Sequence, residues 1–233
     1  MVGYNVQTAV DTTHHLIVAH EVTNVGHDRT QLSNMAQQSK AIIETDELDV
    51  VADRGYFKGE EILACDEAGI TTYLPKPQTS GSLAKGRFGK RDFTYIPEDD
   101  EYQCPANERL IYRCSTLEKG QTIRRYWSSV CPGCPIKSKC TTGKYRRVSR
   151  WEHEAVVEAV QARLDREPER MRVRRETAEH PFGTIKSWMG STHFLTRGLP
   201  SVSTEMSLHV MAYNLKRMMN IFGVKPLIEA IQA

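Results

Sequence analysis

No stretch of the 233 residues approaches the run of roughly 18 apolar residues that a membrane span needs. The opening residues, MVGYNVQTAVD, have neither a charged leader nor an apolar run, so they do not read as a secretory signal. Internal repeats of fixed period and low-complexity tracts are also missing, which excludes solenoids and biased tails. These absences point to a cytoplasmic protein, in which six cysteines stand as thiols and not as disulfides. One further absence is local. Between Lys119 and Arg150 there is no Asp or Glu, while nine Lys or Arg fall there. The net charge of +2 hides this stretch. A patch so one-sided suits a polyanion, most simply nucleic acid; the plainer reading is a solvated basic loop.

What is present is a globular balance, 26% charged and 39% apolar, in a chain long enough for a real core. Alternation predicts a strand from about Tyr4 to Val10 and a second in HLIVAHEVTN, joined by a turn at DTTHH. Asp28 is placed to cap a helix running to about Glu44. LDVVADRGY gives a short buried strand, residues 58–69 a helix stopped by Gly69, and TTYLPKP another strand. The order β-β-α-β-α-β is an α/β pattern. Residues 78–150 break it with Gly, Pro, Lys, Arg and Cys and short aromatic strands such as DFTYI, and read as an insertion with its own fold. Helices resume from about Trp151 to Arg166 and from about Glu169, and a long amphipathic one ends at Gly223. The organisation expected is therefore 1–77, 78–150 and 151–233.

Three constellations carry chemistry. Asp53 ends the apolar strand DVVAD, the end where α/β folds collect ligands, and its carboxylate can hold a divalent cation; capping the turn that follows is the commoner fate of such an Asp. Arg172, Arg175, Glu179 and Lys186 have helical spacing along one stripe, so the cations can hold phosphate while Glu179 holds a metal. Glu176 falls near the same face, Pro181 is expected to disturb the helix just past Glu179, and a solvated, salt-bridged helix is the bland alternative. Cys104, Cys131, Cys134 and Cys140, spaced C-x₂₆-C-x₂-C-x₅-C, fit a tetrahedral Zn²⁺ site with CPGC as its knuckle. Cys114 is an alternative to Cys104, Cys65 reads as core, and a redox role for CPGC is the weaker reading. Asp11 ends a strand at a tight turn and reads as a turn residue rather than a ligand.

With Asp53 and Glu179 together, the chain resembles the DDE transposases of bacterial insertion sequences, in the branch with a Y-x₂-R-x₃-E-x₆-K signature. Arg175, Glu179 and Lys186 match R, E and K, and Arg172 stands where that branch has Tyr. GYNVQTAVD, VTNVGHDRTQL, VVADRGY, the YQCP…CPGCPIKSKC insertion, RRETAEHPFGTIK and AYNLKRM carry the likeness over nearly the whole chain. The resemblance implies a ribonuclease-H-like mixed sheet flanked by helices, incomplete at its N-terminus, with a zinc-ribbon-like insertion. It implies two Asp and one Glu around Mg²⁺ or Mn²⁺, acting on double-stranded DNA at element ends and target, in a nucleoid-associated protein, with a homodimer left open. It makes Asp53 the second Asp, Glu179 the Glu, and Arg172, Arg175 and Lys186 contacts to DNA phosphate, and selects Glu179 over Glu176. The strand bearing the first Asp is missing from the pattern, so the expectation is a C-terminal portion of a truncated or frameshifted copy, inactive alone. The competing expectation is a non-catalytic zinc-containing nucleic-acid-binding protein.

Overall fold

The computed structural model describes residues 3–77 and 81–232. They form two compact units, residues 1–76 with 156–233 and residues 77–155.

The first unit opens with a hairpin, β1 (Asn5–Val10) antiparallel to β2 (Ile17–Thr23). Next come α1 (Leu32–Ile43), β3 (Leu48–Val51), α2 (Gly59–Glu67) and β4 (Ile70–Tyr73). β3 and β4 pair in parallel, as a crossover helix between them requires. Four helices follow: α3 (Glu154–Arg166), α4 (Arg170–Gly183), α5 (Leu199–Phe222) and α6 (Val224–Gln232). α1 buries Leu32, Met35, Ala36 and Ser39, the i, i+3, i+4, i+7 stripe of a one-sided helix. Gly69, at φ +64°, ends the α2 segment in the left-handed region that glycine adopts at little cost. One core cluster joins Leu32, Ala36, Ile62, Cys65, Leu74 and Val160; a second seats β2 on α5 through Ile17, Val22, Val202, Met206 and Tyr213. Each fully buried Ile or Leu contributes about 1.5–3 kcal/mol of transfer free energy.

The hairpin is tied to α5 by hydrogen bonds from one turn of that helix. Asn214 bonds both the N–H (2.9 Å) and the C=O (2.8 Å) of Ile17, and the Tyr213 hydroxyl donates to the His15 carbonyl at 2.8 Å. Arg217 donates to the His14 carbonyl at 2.6 Å. The AYNLKRM stretch therefore clamps the β1–β2 turn.

The second unit is one antiparallel sheet in the order β5 (Thr94–Ile96), β6 (Glu101–Gln103), β7 (Arg109–Glu118), β8 (Gln121–Trp127), β9 (Val148–Trp151). Phe93, Tyr102, Leu110, Tyr126 and Val148 form its core. The hydroxyls of Tyr95 and Tyr126 both donate to Asp100 Oδ1, at 2.7 and 2.8 Å, so these aromatic side chains are packed without orphaned polar groups.

Three boundaries depart from the sequence expectations. Asp28 does not cap a continuous helix: its Oδ1 accepts from Asn5 and Gln7, residues 28–30 form a separate 3₁₀ turn, and α1 starts at Leu32. Trp151 belongs to β9, opposite Ile123, and the Glu154 carboxylate takes its N–H at 3.3 Å, so α3 begins only at Glu154. Pro181 does not open α4 beside Glu179. It is buried inside the helix, which runs on to Gly183 and passes into a π-helical turn over residues 184–188.

Candidate active site

Asp53 lies two residues past β3. Its Oδ1 accepts from the Gly55 N–H at 2.6 Å and so caps the 3₁₀ turn Arg54–Tyr56. Its Oδ2 accepts from Arg174 on α4 at 3.1 Å. The other Arg174 nitrogen stands 3.9 Å from Glu179 Oε1. One guanidinium thus draws together two carboxylates that are 126 positions apart in sequence. Arg174 is 23% exposed, Asp53 40% and Glu179 70%, so the guanidinium is the sheltered member and the acids face solvent.

Gly55 is held between two acids. A Cβ there would sit 2.8 Å from Asp53 Oδ1 and 3.4 Å from Asp28 Oδ2, so any larger residue displaces a carboxylate. Asp28 is itself engaged, accepting from Asn5 Nδ2 at 2.7 Å and Gln7 Nε2 at 2.8 Å. Buried Gln7 also accepts from the Tyr56 hydroxyl. Burial, with Asp28 and Asp53 nearby, pushes the Tyr56 phenol well above its ordinary value, so it stays a neutral donor. This network fixes the loop that carries Asp53.

The basic residues of α4 divide by face. Arg172 pairs with Glu176 at 3.6 Å, both well exposed, which makes Glu176 the charge partner of a surface arginine. Arg175 is exposed, and Lys186 lies on the π-helical turn with its Nζ 5.9 Å from the Phe182 ring. That turn shifts Lys186 out of the stripe expected with Glu179. The cation that reaches both acids is Arg174, which sequence spacing did not single out. A signal was available: 174, 177, 178 and 181 follow i, i+3, i+4, i+7, and Thr177 and Pro181 on that stripe are buried.

Asp11 is spent on its turn, accepting the N–H of Thr13 at 3.2 Å and of His14 at 2.6 Å. Burial pushes its carboxyl up, but those bonds outweigh it and hold it below the ordinary value. On the other side of Glu179's neighbour His180, the ring nitrogen Nδ1 lies 3.0 Å from the Tyr213 hydroxyl. Burial lowers the His180 pKa, and His15 and Arg217 lower it further.

In the second unit Cys104, Cys131, Cys134 and Cys140 line one small cavity of about 30 Å³, together with Phe93 and Leu110; Cys114 is not among its walls. Burial pushes the Cys140 thiol up, Arg146 opposes that, and Cys131, Cys104 and Cys134 push the same way as burial. Cys65 is fully buried in the first unit's core, with its thiol pushed up to about 12 by burial, as expected of an inert thiol. Several cations of the acid-free stretch are engaged locally. Arg146 donates to the Phe88 carbonyl and stacks over Phe93, Arg147 lies over Trp127, and Arg125 pairs with Glu118. Among the described residues, no group of three or more His, Cys, Asp or Glu side chains is arranged to hold a metal ion.

Paired carboxylates beside a basic helix at the end of an α/β sheet strand are equipment of the kind used in metal-dependent phosphoryl transfer. Comparison with known proteins sharpens that class. The family described as transposase DDE domain matches residues 103–219, half of the chain, and the chain belongs to this family. The match includes Glu179, the α4 arginines and the four clustered cysteines, and does not reach Asp53. No curated protein and no solved structure matches the chain. The family makes this a transposase, a protein of DNA transposition and recombination in the nuclease and strand-transferase class, with DNA as its partner and divalent metals such as Mg²⁺ in general use. No helix among the described residues is long and apolar enough to cross a membrane.

Proposed function

We propose that the first unit is a ribonuclease-H-like catalytic core in which Asp53 and Glu179 are two of the three carboxylates of a strand-transfer centre. The observation that carries this reading is the single Arg174 guanidinium lying between them. Their fit to a divalent ion is partial: two acids converge and no third joins them among the described residues. Asp11 and Asp28, the other acids of this region, are committed to hydrogen bonds. When bound by all three acids, such an ion would activate an attacking hydroxyl and polarise the phosphodiester.

This chain's own residues have narrower tasks. Gly55 and Tyr56 hold the Asp53 loop in place. Arg174 neutralises one of two like charges, which lets the acids sit near one another before any cation arrives. Arg172, Arg175 and Lys186, at or near the exposed side of α4, offer phosphate oxygens a sequence-independent contact. With two acids only, the chain alone does not cleave or join DNA. The four cysteines are proposed to take a structural Zn²⁺, for which four thiols on one cavity are the right donor set.

Titration with Mn²⁺, read by calorimetry, tests the reading. Binding is expected to fall about tenfold or more in Asp53→Asn and in Glu179→Gln and to persist in Glu176→Gln. Equal binding in all four proteins would overturn it. Binding of zinc to the cysteine cluster is checked separately by metal content after purification of Cys131→Ser and Cys134→Ser, which should carry none.

A further inference from the structure

The first unit's strands form two separate two-stranded sheets, so β1 and β3 each have one partner and one open edge. Both open edges line the same cavity, of about 440 Å³. Along β3 every residue from Leu48 to Val51 meets it, and along β1 it touches Val6 and then Thr8, Ala9 and Val10 in succession. Consecutive residues of a strand share an edge and not a face, so the cavity runs between strand edges. α1 closes one side with Leu32, Met35 and Ala36; α4 closes another with Thr177, Ala178 and Phe182. The strand residues here are apolar yet only half-buried: Val6, Val10, Val50 and Val51 are all intermediate in exposure. Open apolar edges of this kind are templates for strand addition.

We propose that this cleft accepts one extended strand donated by a second polypeptide, rich in β-branched apolar residues and carrying an acidic residue at the Asp53 end. Only an extended chain offers N–H and C=O groups to both edges at once. The edges set its length at about four to six residues, the spans of β3 and β1. Gln7, early in β1, is bonded to Tyr56, just past the end of β3, so the two strands run in opposite senses. A strand between them is parallel to one and antiparallel to the other, and fuses four strands into one five-stranded mixed sheet. One end of that strand emerges where Arg174, Asp53 and Glu179 meet, the place for an additional carboxylate. The acidic residue rests on the metal-site reading above; the strand slot does not.

Amide hydrogen exchange on the full chain tests this. The probe is a pool of six-residue peptides of Val, Ile and Thr ending in Asp, with a proline-interrupted pool as control. Exchange in Val6–Val10 and Leu48–Val51 should slow at least about tenfold with the pool and not with the control, while β5–β9 stay unchanged. No protection of the two edges by any peptide overturns the proposal. So does protection that rises with chain concentration without peptide, which would put a second copy in the slot. Repeating the experiment on Asp53→Asn separates the two readings. Protected edges with Mn²⁺ binding indifferent to Asp53 keep the slot and remove the metal site. Mn²⁺ binding that needs Asp53 and Glu179, with unprotected edges, keeps the metal site and removes the slot.

Discussion

The second unit completes its sheet and the first does not. Five strands of the second run in chain order except for one long return to β9, every neighbouring pair is antiparallel, and clustered tyrosines with a shared aspartate fill the core. The first unit has four strands in two pairs, held less by ladders than by helices: α1, α2 and α3 on one cluster, α5 on the other. Yet Asp53, Arg174 and Glu179 belong to the less finished unit. A site whose parts come from a loop after β3 and from a helix 121 positions later depends on tertiary packing for its geometry, whereas the cysteine cavity is built within a self-contained sheet unit.

The contrast can be broken at several points. The largest effect is expected from Ile62→Ala, which opens a cavity in the first unit's core and should cost about 2–5 kcal/mol of that unit's stability. Urea unfolding followed by hydrogen exchange in each unit should show β5–β9 unaffected. Next comes Asn214→Ala, which leaves both backbone groups of Ile17 without their side-chain partner and should cost about 1–3 kcal/mol. Faster exchange confined to β1 and β2 is the signature. Gly55→Ala pushes a Cβ against the Asp53 carboxylate and should weaken Mn²⁺ binding about tenfold while the fold survives by circular dichroism.

A smaller effect concerns pH. His180 has a folded pKa below its unfolded value near 6.5, so the unfolded chain binds the proton first as pH falls. That contribution is fully present above about 6.5 and is lost as pH drops below it. The urea midpoint of the first unit should decline through that range, and less so in His180→Gln. The smallest effect is expected from Arg172→Ala: its exposed pair with Glu176 is worth under about 0.5 kcal/mol, so a loss of DNA affinity without a loss of stability isolates its phosphate contact.

Much of this was legible in the sequence, for physical reasons that differ by residue. Gly69 and Gly223, both at positive φ, stop their helices where the pattern placed the stops. Cys65 read as core because its helix neighbours are apolar, and it is fully buried. The α/β order of the first eighty residues came from alternation and short apolar runs. Arg174 escaped because charge spacing favours the exposed stripe, while its role depends on the face of α4 that turns toward Asp53. Asp28 looked like a helix cap because local sequence cannot show that Asn5 and Gln7, over twenty positions earlier, claim its carboxylate. The division of the sheet into two pairs had no local signal at all, since strand partners are set by tertiary structure.

The central claim is that Asp53 and Glu179 act as one cation site arranged by Arg174. The most direct test is a double-mutant cycle on Mn²⁺ affinity with Asp53→Asn, Glu179→Gln and the pair together. The account expects each single change to lose most of the binding and the double change to lose little more, the non-additivity of two ligands to one ion. Losses that simply add, or affinities that do not move, would contradict it.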